Sequence, residues 1–341
     1  SQWFEGMGLI DESLNHALQA DDVEYAAQIT ERNSRAVMDE DKWHVTEKWL
    51  TKLPDALVWK RPQLLIVLAL KHFYRLDLAA ILLVLDRIDE LAGSGAKTHD
   101  LSGEVAMFRG CCSFYQDDAA RALKYLAHAM DRVSLTDVEF RSIIEVHFVL
   151  ATQMEGQMKR ATRAANEWLK TRSPLDPLTE TRLLLALTYV FYLDGDLEGA
   201  ERHIPRQRKV AISHGLDNAV AWCDHLKGLF CLQRGEFDEA IRLLEAAGKR
   251  KYVLFTRAAA DALGALALAY QAHGQPEQAG ATMRSLREFA AYLGQLFNPL
   301  ADAYAARLAF MRGRPEIAVR WLETNTSLPA DVSGPNAGTP A

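Results

Sequence analysis

A unit of about forty residues repeats along the 341-residue chain, and it constrains the fold more than any other feature. Each copy holds a short polar turn followed by an amphipathic run, as in Arg234-Gly235-Glu236-Phe237. One position of the run, usually an alanine, recurs at residues 26, 81, 122, 161, 200, 240, 279 and 318. After a first step of 55 residues the steps are 39 to 41 residues, a regularity that is typical of repeat proteins.

The turns predict that each unit is a pair of helices. Gly195, Gly235, Gly274 and Gly313 suit the left-handed residue that ends a helix, because glycine has no Cβ to clash there. Pro276 and Pro315 follow two residues later, where a proline fits the first turn of the next helix. Each turn therefore joins one helix to another.

Small residues mark the first helix of most pairs and would let the two helices approach closely. They stand twelve residues before the repeat position, at Ala69, Gly110, Thr188, Gly228, Ala267 and Ala306, whereas Val149 is an exception. This pairing is typical of tetratricopeptide-type hairpins. We predict an all-α, right-handed superhelical solenoid of about eight tetratricopeptide-like hairpins with a period of 39–40 residues, covering residues 1–323.

Three segments interrupt this regularity. Residues 41–53 predict an extra amphipathic helix that carries Trp43 and Trp49 and is stopped by Pro54. Residues 173–177 predict a rigid loop between hairpins, because two of the five are prolines. Residues 324–341 are rich in Thr, Ser, Pro, Gly and Ala, so a disordered C-terminal tail is expected there.

Charge and composition exclude several classes of function. The net charge of −6 disfavours direct nucleic-acid binding, and no apolar run is long enough to cross a bilayer. Four cysteines without a visible secretion signal indicate reduced thiols, so a cytoplasmic protein is expected.

Two stretches resemble a known family of regulators. Residues 3–22 contain Trp3-Phe4, Gly8-Leu9 and His16-Ala17-Leu18; further on come Trp49-Leu50, Leu53-Pro54, Arg61-Pro62 and Leu64-Leu65. This pattern is similar to the superhelical sensor region of MalT-type large ATP-binding LuxR-family transcription regulators. The resemblance implies that ATP and DNA are bound by separate domains upstream and downstream. It therefore implies that this region has no cofactor of its own and makes no direct DNA contact.

Sites for catalysis, metal or phosphate are weakly supported by the sequence. Residues 93–98 resemble a phosphate-binding loop, but Ala96 separates Gly95 from Lys97 and an apolar helix precedes the segment. Cys223, His225 and Cys231 fit no zinc spacing, and the cysteines are interpreted as packed or surface thiols. No histidine or serine motif of a hydrolase is present, so no catalytic or metal site and no enzyme activity is expected.

The candidate site is the concave surface, which the first helix of each hairpin should line. Offsets of −6, −3, +1 and +4 from the small residue select a stripe of aromatic and polar side chains. The predicted effector-binding residues are Glu104, Met107, Arg182, Tyr189, Tyr192, Trp222, His225, Asp261 and Arg307. The same stripe includes Cys111, Phe114, Leu185, Leu229, Gln271 and Phe310.

Two functions remain open at this stage. The first is a non-catalytic sensor domain of a LuxR-type regulator, in which a small effector or a regulatory protein binds the superhelix and favours self-association and activation. The alternative is a peptide- or protein-binding tetratricopeptide scaffold without a small-molecule effector. Neither function requires a membrane.

Overall fold

The chain folds into helices joined by short turns. The computed structural model describes residues 2–40, 42–93, 100–172, 175–254, 256–293 and 297–325. Within these ranges the structure has twenty helices and no strand. The helices are α1 (Gln2–Gly6), α2 (Ile10–Gln19), α3 (Val23–Asp39), α4 (Trp43–Leu50), α5 (Asp55–Val58), α6 (Pro62–Tyr74), α7 (Leu78–Gly93), α8 (Ser102–Tyr115), α9 (Ala119–Arg132), α10 (Val138–Met154), α11 (Met158–Thr171), α12 (Pro177–Leu193), α13 (Leu197–Glu201), α14 (Ile204–Ser213), α15 (Asp217–Gln233), α16 (Phe237–Lys249), α17 (Thr256–Ala272), α18 (Pro276–Leu293), α19 (Asn298–Met311) and α20 (Pro315–Asn325).

Eight helical hairpins follow one another along the described residues. They are α2–α3, α6–α7, α8–α9, α10–α11, α12–α13, α15–α16, α17–α18 and α19–α20. The repeat position lies in the second helix of every hairpin, and it is buried in all of them except at Ala318 in α20. The predicted all-α solenoid of tetratricopeptide-like hairpins is confirmed.

The interruptions have local causes. Helix α4 lies inside the segment predicted as an extra helix, and the short α5 follows it. The second helix of the α12 hairpin is split into α13 and α14, because Pro205 lacks the N–H that a continuous helix would need. Residues 94–99, 173–174 and 326–341 lie outside the described residues, and they include most of the phosphate-loop-like segment, two of the five residues of the predicted rigid loop and nearly all of the predicted tail.

Every hairpin turn contains one left-handed residue, five positions before the repeat position. Glycine occupies it five times, including the four predicted glycines, and their φ angles lie between 70° and 83°. Asp21, Leu76 and Asp117 occupy it in the other three turns, with φ of 57°, 54° and 61°. A side chain with a Cβ is strained in this conformation, so these turns are held by the packing of the hairpin.

Opposite effects are expected from exchanging glycine at this position. Asp117→Gly should raise the free energy of unfolding by about 0.5 kcal/mol, since relief of strain exceeds the added freedom of the unfolded chain. Gly274→Ala should lower it by about 1 kcal/mol, although open space surrounds Gly274. Chemical denaturation of both variants measures the effects, and a stabilising Gly274→Ala would contradict this account of the turns.

Close helix contact explains the glycines in the first helices. A Cβ on Gly110 would lie 2.8 Å from Leu126 Cγ, and a Cβ on Gly228 would lie 2.7 Å from Leu244 Cγ. Both leucines belong to the second helix of the same hairpin, four residues after the repeat position. Small residues at these points therefore allow the two helices to interlock, as the sequence pattern predicts.

The solenoid curves until distant hairpins meet. Leu76, in the turn between α6 and α7, packs against an apolar cluster built largely from α17, α18 and α19. On the inner side, Arg182 of α12 donates from Nη2 to the hydroxyl of Tyr74 in α6 at 3.0 Å. This curvature brings the first helices of successive hairpins around a common interior.

Candidate functional site

A central cavity lies where the first helices converge. Its volume is about 210 Å³. Helices α6, α8, α10, α12, α15 and α17 supply nearly all of its wall. Its aromatic residues are Phe73, Tyr74, Phe114, Tyr115, Tyr189, Tyr192 and Trp222. Such a wall offers large flat surfaces for an apolar or aromatic ligand.

One side of the cavity is held by an arginine that joins three helices. Arg182 of α12 forms an ion pair with Glu139 of α10, with 2.9 Å between Nη2 and Oε2. It also donates from Nη1 to Ser142 Oγ at 2.7 Å. The hydroxyl of Tyr74 in α6 donates to Glu139. Because the Glu139 side chain is only 1% exposed, its negative charge depends on Arg182 for compensation.

Two buried histidines in the wall are neutral. Burial lowers the pKa of His147 to about 4. Its Nδ1 lies 2.8 Å from the carbonyl oxygen of Ile143, so Nδ1 carries the proton and donates it. Burial also lowers the pKa of His225, against the opposing effect of Asp261. These imidazoles therefore contribute hydrogen-bonding groups and ring surface at neutral pH, without charge.

Asp261 brings a carboxylate into the same cavity. Its Oδ2 lies 3.4 Å from Nε2 of His225, and its Oδ1 accepts from the hydroxyl of Tyr304. Burial raises the pKa of Tyr304, and the nearby Asp261 raises it further. The phenol thus stays protonated and serves as a donor to the carboxylate.

The structure brings six of the nine predicted site residues together around the cavity. These are Arg182, Tyr189, Tyr192, Trp222, His225 and Asp261. Phe114, Leu185 and Leu229 of the wider predicted stripe also line it. Their shared position follows from the common register of the first helices.

The other predicted site residues lie elsewhere. Glu104 is ion-paired with Arg35 of α3, in a separate groove near the N-terminal hairpins. Met107 is fully buried in the hydrophobic core, whereas Arg307 is exposed and outside the cavity wall. The offsets fail at the start of α8, where Arg35 of α3 lies opposite Glu104, so this part of the stripe contacts protein instead of the cavity.

The remaining members of the wider stripe also lie outside the cavity wall. Cys111 is in the core, Gln271 accepts from Arg312, and Phe310 is exposed.

Several cavity residues were missed by the sequence pattern. Val146, Leu150 and Gln153 of α10 have the same −3, +1 and +4 offsets, counted from Val149. The sequence pattern omitted them only because Val149, from which they are counted, is larger than the usual small residue. Arg257 and Tyr115 have no such signal, because no local spacing shows that α8 and α17 face one interior.

Metal and thiol chemistry have little support among the described residues. No group of three or more His, Cys, Asp or Glu side chains there could hold a metal ion. All four cysteines are buried free thiols, and burial raises the pKa of Cys112 and of Cys223 to about 12. They act as packing residues, as expected. No helix in the described part of the chain has the length and apolar character needed to cross a membrane.

The fold and the cavity define a tetratricopeptide-like helical-repeat protein with an internal cavity. Two solved structures of Rap proteins share this fold. The apo form of RapI matches with a TM-score of 0.51 and 15% identity, over 94% of this chain and 87% of RapI. The Rap conjugation gene regulator of plasmid pLS20, solved in complex with the Phr* peptide, matches with a TM-score of 0.54 and 15% identity, over 88% of this chain and 84% of that one. No protein-family model and no curated protein matches the sequence.

Proposed function

We propose that this chain is a non-catalytic regulatory scaffold that binds a peptide in the central cavity. The observation that carries the proposal is the cavity itself, enclosed by the first helices and lined by aromatic side chains. The fold it shares with a Rap regulator that was solved with a bound peptide supports the same proposal. Binding would favour one curvature of the solenoid and so alter its contacts with partner proteins.

The dimensions of the cavity suit an extended peptide. Its wall follows α12 from Leu178 to Leu193, a distance of about 22 Å at 1.5 Å per residue. An extended chain rises about 3.3 Å per residue, so roughly six or seven residues would span this length. The half-buried amide of Gln153 in the wall is a polar group that can pair with the peptide backbone.

A LuxR-type sensor region is the second candidate. The motifs in residues 3–22, 49–54 and 61–65 favour it, and the effector would then be a small organic molecule or a regulatory protein. In that setting, ATP and DNA would be bound by other domains, and the occupied solenoid would promote self-association. The cavity would be the effector site under either candidate.

Filling the cavity tests whether it binds a peptide. A mixed pool of hexapeptides is incubated with the protein, and retained peptides are identified by mass spectrometry. Leu185 lines the cavity and is only partly buried, so Leu185→Trp should occupy the space and weaken binding of the retained peptides at least tenfold. Leu83→Trp on the exposed face of α7 makes the same change outside the cavity and should leave binding unchanged.

The outcomes separate the two candidates. If the Leu185→Trp variant bound the retained peptides as tightly as the wild type does, binding in the cavity would be contradicted. If no peptide is retained, but a small-molecule pool gives a thermal shift that Leu185→Trp abolishes, the sensor candidate replaces the peptide scaffold.

A further inference from the structure

Asp261 is the only carboxylate in the wall of the cavity, as far as the structure describes the chain. Its side chain is 23% exposed, so it is accessible from the cavity while still partly removed from solvent. Among the described residues, the hydroxyl of Tyr304 and the imidazole of His225 contact it. Both are neutral, so these contacts orient the carboxylate without neutralising its charge.

A row of aromatic rings leads to this carboxylate through His225, whose imidazole contacts it. The ring centroids of Tyr189 and Trp222 lie 5.8 Å apart at 80°, and those of Trp222 and His225 also lie 5.8 Å apart. Tyr189, Trp222, His225 and Asp261 all line the same cavity. The negative faces of such rings attract cations, and a nearby carboxylate strengthens the attraction.

Two arginines also line the cavity, and one of them lies beside Asp261. Arg182 is compensated by Glu139 at 2.9 Å. Arg257 stands one helical turn before Asp261 on α17 and also lines the cavity. A ligand that carried both signs of charge would therefore place its cation at Asp261 and its anion toward Arg257.

We infer that Asp261, together with the rings of Tyr189 and Trp222, forms a subsite for a cationic group of the bound peptide, either an ammonium or a guanidinium. The inference rests on the proposed function, because it specifies the chemistry of a ligand in the same cavity. The peptide would present a lysine, an arginine or its amino terminus to Asp261. Desolvation inside the cavity makes such a pairing selective against neutral and anionic groups.

Three small aromatic probes of similar size test the charge preference directly. They are phenethylammonium, the neutral 2-phenylethanol and the anionic 3-phenylpropanoate, and their affinities are measured by ligand-observed NMR titration of the intact chain. Phenethylammonium should bind roughly tenfold more tightly than the neutral probe. Asp261→Asn keeps an acceptor for Tyr304 but removes the charge, and it should abolish this preference. Asp302→Asn, which makes the same substitution at an exposed position on α19, should preserve it.

Each result bears on the subsite separately from the proposed function. Equal binding of the three probes, failure of phenethylammonium to bind, or a preference that survives Asp261→Asn would overturn the subsite. Tighter binding of 3-phenylpropanoate would also overturn it and would assign the dominant charge to Arg257. In any of these cases, hexapeptides that still bind to the wild-type protein, and bind more weakly to the Leu185→Trp variant, would continue to support the peptide scaffold.

Discussion

Arg182→Met is expected to lower the free energy of unfolding by about 3–5 kcal/mol, the usual cost of removing one partner from a buried ion pair. The Glu139 side chain is 1% exposed and the Arg182 side chain 13% exposed. Hydration of the Glu139 charge therefore cannot compensate fully for the lost guanidinium. The variant also loses the bonds from Arg182 to Ser142 and to Tyr74, which join α12 to α10 and α6. Urea denaturation followed by circular dichroism measures the effect.

A second substitution and a surface control distinguish charge burial from general damage. Adding Glu139→Gln to Arg182→Met should recover most of the loss, because the neutral amide no longer needs a cation and can still accept from Tyr74. Arg206→Met removes the arginine of an ion pair with Glu180 whose arginine side chain is 55% exposed, and it should cost less than about 1 kcal/mol. If the double variant were no more stable than Arg182→Met alone, the charge of Glu139 would not be the cause.

The fold was predictable because its signals are local. A left-handed residue recurs in all eight hairpin turns and a small residue in six of the first helices, so a single sequence contains several versions of the same evidence. One further signal was available: Asp22, Asp118 and Asp196 directly follow the left-handed residue, and each accepts from a backbone N–H of the next helix. This helix-capping position would have located the weaker turns more sharply.

The site was predictable only in part, because it depends on how far the solenoid curves. Local offsets place Tyr189, Trp222 and His225 on the inner face, where the structure has them. They cannot show that α3 supplies Arg35 opposite Glu104, nor that Tyr74 meets Arg182 across 108 residues. Such contacts are set by the sum of many small rotations between hairpins, which no local spacing specifies.

Gly264→Ala is expected to destabilise the protein by about 3 kcal/mol, because α17 and α19 are in contact at this glycine. A Cβ there would lie 2.2 Å from Cδ2 of Tyr304 and 2.4 Å from two further ring atoms. The ring cannot move freely, since it is 4% exposed and its hydroxyl donates to Asp261. The substitution should therefore push the two helices apart and disturb the carboxylate in the cavity.

Gly280→Ala is the matched control, since it makes the same change inside the neighbouring α18. Its nearest neighbour would be Nη1 of Arg284 at 3.9 Å, so alanine should stabilise the helix by up to about 1 kcal/mol. Adding Tyr304→Leu to Gly264→Ala should restore part of the loss, because the smaller side chain makes room for the methyl group. Denaturation midpoints of the three variants measure these changes in stability. A Gly264→Ala protein as stable as the wild type would mean that the Tyr304 ring does not occupy this contact, and the hydrogen bond that orients Asp261 would then lose its support.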